Sequence, residues 1–142
     1  MNAPSPRVVN VVWTDDDDPT FHEWMIEHVA GIKLNSIVSS SGSDPVISHQ
    51  RRYYGSGRLH SLLATVDPDE VDVVLVANNL GVGVQYVSRM SDELKAKVVV
   101  ISNDPLSDAD QNDYRYYGVD QFCARDALPQ LFKERYGLAN EG

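Results

Sequence analysis

The run Val71-Asp72-Val73-Val74-Leu75-Val76-Ala77 constrains this chain more than any other stretch of it. Apolar residues follow one another almost without interruption, the pattern of a strand whose two faces are both covered by helices. Three further runs share its valine and isoleucine richness: Val8 to Trp13, Leu34 to Val38 (the weakest) and Lys97 to Ile101. Each ends in polar or turn residues, and most lead into a helical pattern. That alternation predicts repeated strand–helix units and a parallel sheet.

The helices are read from spacing and stops. Phe21, Trp24, Met25 and Val29 predict one apolar face of a helix over Thr20 to Ala30, with Gly31 as its stop. Leu59, Leu62 and Leu63 predict a helix after Gly55-Ser56-Gly57, and Asp67-Pro68-Asp69-Glu70 closes it. Val84, Val87, Met90 and Leu94 mark a third. An acidic fourth helix runs to Tyr117 and stops at Gly118. A short fifth strand from Val119 to Ala124 and a last helix from Ala127 to about Tyr136 complete the pattern. There is no composition break and no internal repeat, so residues 1–142 are expected to form a single domain, with 1–6 and 138–142 as flexible tails.

Composition narrows the function classes. Cys123 is the single cysteine, which excludes an intramolecular disulfide; the N-terminal segment lacks the apolar core of a secretory signal, and a cytoplasmic location is expected. No apolar run approaches the roughly 20 residues that cross a bilayer. A formal charge of −9 argues against nonspecific nucleic-acid binding, because phosphates repel an acidic surface. Against that background, Pro45 to Val66 contains no acidic residue and carries Arg51, Arg52 and Arg58 with His49, His60, Tyr53 and Tyr54. Arg51-Arg52-Tyr53-Tyr54 reads either as an interface for an acidic partner or as a solvated loop whose arginines neutralise nearby aspartates.

In a doubly wound sheet, ligands bind beyond the carboxyl ends of the strands. The polar residues that follow the apolar runs are therefore the ones to weigh: Asp15 to Asp18, Ala77 to Asn79, Ser102-Asn103 and Arg125. Asp16-Asp17-Asp18-Pro19 looks like an acid, acid, any residue, proline pattern. Val98-Val99-Val100-Ile101-Ser102 ends a strand on a hydroxyl, and Gly118-Val119-Asp120-Gln121-Phe122 leads into the last strand with a cation, Arg125, three residues on.

Over nearly its whole length this order resembles the receiver domain of bacterial response regulators. The resemblance implies a flavodoxin-like, five-stranded parallel sheet of order 2-1-3-4-5 with helices on both faces. It matches Asp16 and Asp17 to the family's magnesium-holding pair, Ser102 to its Ser or Thr, Phe122 to its switch aromatic and Arg125 to its lysine. It also places Ala77 where the family's phosphoacceptor aspartate stands. A methyl group is no nucleophile, and the amides of Asn78 and Asn79 do not replace a carboxylate. Arginine keeps the lysine's charge but has a planar fork in place of a compact ammonium. Whether Ala77 is native to the lineage or a substitution of an aspartate stays open at the level of sequence.

Expected, then, is a stand-alone pseudo-receiver with a degenerate site at Ala77, Ser102 and Arg125. It acts in signalling through phosphorylation-independent protein contact and requires no cofactor. The fourth helix, fifth strand and last helix supply the expected partner or homodimer surface, with Tyr114, Tyr117 and Phe122 on it and Arg51 and Arg52 as a second candidate. The acidic run offers hard oxygen ligands suited to Mg²⁺ at Asp16 and Asp17; the competing reading is a solvated acidic loop at a helix N-terminus. A different enzyme class is the alternative. Asp16, Asp18 and Thr20 fit the DxDxT pattern of haloacid-dehalogenase-like phosphatases, Mg²⁺-dependent enzymes that would use the Asp15–Asp18 loop, and Ile101-Ser102-Asn103 looks like their second motif, although the catalytic lysine and late acidic pair of that family do not follow. His49 and His60 lack zinc-site spacing, and Cys123 reads as a small buried residue.

Overall fold

The structure, a computed structural model, describes residues 7–15, 20–40, 51–54, 67–78 and 82–137. The predicted tails, the helix near Leu59 to Leu63, the glycine turn before it and Asp16 to Asp18 lie outside the described residues. Numbered in chain order, the described elements are β1 (Val8–Asp15), α1 (Thr20–Ala30), β2 (Lys33–Ser40), β3 (Arg51–Tyr54), β4 (Val73–Ala77), α2 (Val82–Ser88), α3 (Asp92–Lys95), β5 (Val98–Ser102), α4 (Asp108–Tyr116), β6 (Phe122–Ala124) and α5 (Leu128–Tyr136). Short 3₁₀ turns cover Pro68–Glu70 and Arg125–Ala127.

All strand pairings are parallel, and the sheet order is β3-β2-β1-β4-β5-β6. The five expected strands are present in the expected order, as β2-β1-β4-β5-β6. A sixth is added outside them. Arg51–Tyr54, read from sequence as an interface or a loop, pairs with Ser36 to Ser39 and forms the sheet's edge. The full order is that of a doubly wound, Rossmann-like sheet, with its switch point between β1 and β4.

Alternation along the strands divides the core. Val9, Val11, Trp13, Val73, Leu75, Ala77, Val99 and Ile101 pack under α1 and α5 against Ile26, Ala30, Leu128 and Phe132. Val12, Val74, Val76, Val98 and Val100 face Tyr86, Val87, Leu94 and Tyr114 of α2, α3 and α4. β4 is buried at all five positions, as a central parallel strand must be.

Three local readings change. The third helix is two short pieces, because Ser91 adopts an extended backbone and its side chain caps the Leu94 amide, starting α3 afresh. The fifth strand begins at Phe122, after Gly118 turns the chain at φ +86°. Most consequential is α1. It turns Glu23, Ile26 and Ala30 inward and leaves Phe21 63% and Trp24 56% exposed. The residues read as one apolar face do share a face, but the sheet buries the opposite one. Gly31 ends the helix as expected, at φ +69° with its amide on the Glu27 carbonyl.

Candidate functional site at the carboxyl edge of the sheet

The register fixes the order of the edge. Ala77 pairs with Ile101 and Ile101 with Cys123, so the ends of β4, β5 and β6 stand side by side, with β1 next to β4 on the other flank. Ala77 and Ser102 therefore end neighbouring strands, and Arg125 opens the turn that follows β6 at the same edge. Asp16 and Asp17 belong to the link between β1 and α1, outside the described residues.

Each described group at this edge is already engaged. Ala77 is 5% exposed and its methyl belongs to the layer beneath α1 and α5. The Ser102 hydroxyl donates to the Asp104 carbonyl at 2.6 Å. Arg125 is 7% exposed, and its Nε donates to Asn103 Oδ1 at 2.9 Å. A guanidinium at such burial needs charged or polar partners, and the Asn103 amide oxygen is one of them. Nearby, His22 Nε2 of α1 stands 3.7 Å from Asp126 Oδ1, so the first turn of α1 lies beside the turn carrying Arg125.

Beyond β4 the crevice is filled from the opposite face. Tyr114 is fully buried, and its hydroxyl donates to Asn78 Oδ1 at 2.7 Å. Burial and the nearby Asp110 and Asp113 push this phenol's pKa well up, so it remains a neutral donor. Gly83 in the first turn of α2 is compressed against the same group. A β-carbon there would collide with the Tyr114 hydroxyl and stand 2.8 Å from the Ala77 carbonyl oxygen. Among the described residues, the end of β4 is thus packed by the protein's own side chains.

Tyr114 is therefore corrected from partner surface to core. Its ring meets Phe122 edge-on at 6.1 Å, and Phe122 is itself half-buried, with the Arg115 guanidinium over its outer face. Tyr117 is half-buried beside Lys95. The exposed tyrosine of α4 is Tyr116, at 82%. Arg51 and Arg52 sit on the edge strand, far from β4 in strand order. Cys123 is half-buried, and burial raises its thiol pKa, which leaves it a poor nucleophile.

Sequence reasoning passed over Thr14 and Glu23. Thr14, at the end of β1, is 1% exposed, and its hydroxyl has no hydrogen-bond partner among the described residues. Glu23 is 3% exposed; its spacing of three from Ile26 and seven from Ala30 was the available signal. Among the described residues no three His, Cys, Asp or Glu side chains are grouped to hold a metal ion. Ala77 brings no side-chain oxygen and Arg125 is a cation, so the described part of this edge does not fit a magnesium site.

The fold and this edge define a doubly wound α/β domain whose described residues at the carboxyl edge are bonded within the protein. No family model matches the chain, and no curated protein is significantly similar to it. Among solved structures it is similar to the RCK domain of GsuK, with a TM-score of 0.57 over 85% of this chain at 12% identity; the match spans 26% of that longer chain. This likeness shows the Rossmann-like fold. Dinucleotide-binding sheets of this order open α1 with a glycine-rich turn that receives a pyrophosphate. Here residues 15–19 read Asp-Asp-Asp-Asp-Pro, and four carboxylates repel that ligand. Among the described residues no helix is long and apolar enough to cross a membrane.

Proposed function

We propose that this chain is a regulatory α/β module that works through protein contact without phosphoryl transfer, a pseudo-receiver in its layout. The observation that carries the reading is the engaged carboxyl edge: a methyl group ends the central strand, and Tyr114, Ser102 and Arg125 are each bonded within the protein. Strand order supports the layout, since β1, then Ala77 at the end of β4 and Ser102 at the end of β5 stand on successive neighbouring strands, with Arg125 just after β6. Cofactor-free action, with any Mg²⁺ at Asp16 and Asp17 incidental, belongs to the same proposal. So does a cytoplasmic place in a two-component type of signalling.

The phosphatase alternative is less well supported. It needs Ser102 close to the aspartates that follow β1, yet β4 lies between β1 and β5, a separation of about 10 Å at ordinary strand spacing. The test is exposure of the protein to acetyl phosphate and Mg²⁺ with intact-mass readout. The mass stays unchanged if the proposal is right. A stable gain of one phosphoryl group sinks it, and peptide mapping of that group to Asp16 would favour the enzyme.

A further inference from the structure

We draw no further inference here: the strongest candidate, the exposed aromatic row of Phe21, Trp24 and His28 on the outer face of α1, is an unpartnered helix face, and nothing in the structure shows what covers it.

Discussion

One hydroxyl group ties α4 to the end of β4. Tyr114 reaches from α4 across the end of β4 to Asn78, and Gly83 gives it room. Tyr114→Phe deletes the bond and leaves Asn78 Oδ1 short of a donor, a loss of about 1 kcal/mol in chemical denaturation near neutral pH. The phenol's pKa is raised by burial first and by Asp110 and Asp113 second. The unfolded phenol ionises near pH 10 while the folded one stays neutral. This contribution is therefore fully present below about pH 10 and is lost as pH rises beyond it. Tyr86, also raised by burial, adds a decline of the same sign. Wild type should lose stability steeply above that pH and Tyr114→Phe less so; parallel curves for the two proteins would contradict the assignment. Gly83→Ala forces a β-carbon into the Tyr114 hydroxyl and is expected to destabilise by about 1–3 kcal/mol in a thermal melt. None of this was visible in the sequence. Ala77 and Asn78 could be placed at a strand end from the run before them, but a tyrosine 36 residues later in an acidic helix carries no local mark of where its hydroxyl goes.

Elements were legible in proportion to how strongly one environment dictated their composition. β1, β4 and β5 lie inside the sheet with both faces covered, and their valine runs say so. β3 has a neighbour on one side only and four residues, Arg-Arg-Tyr-Tyr, with no apolar alternation to mark it. Arginine on an edge strand also discourages unwanted strand pairing, which makes such a strand look like a loop. For α1 the period was right and the direction was not, because apolar residues occupy both sides and the larger ones face out. Substitutions separate the two stripes. Ile26→Ala, at 0% exposure, should cost about 2–5 kcal/mol in chemical denaturation. Trp24→Ser should change the stability of dilute protein by no more than about 0.5 kcal/mol. Equal losses would mean that the outer stripe is packed after all.

At the scale of the molecule, the sheet supports two kinds of site, and the residues present favour one. A doubly wound sheet offers a crevice at its switch point. In this chain the described side of that crevice carries Ala77, Asn78 and Tyr114, with no acceptor carboxylate among the described residues, and the sequence that follows β1 is a run of aspartates whose charge disfavours phosphates. The surfaces remain: an aromatic row on α1 and an acidic face on α4 that ends in exposed Tyr116. Fold class and strand order could be read from sequence, because strand runs and strand ends are local features. Which surfaces stay exposed depends on packing between distant elements and could not.

The most direct test of the central claim, action without phosphoryl transfer, exposes the wild-type protein to acetyl phosphate and Mg²⁺ and follows its intact mass, with circular dichroism to check folding. The account predicts an unmodified protein. A stable gain of one phosphoryl group would contradict it.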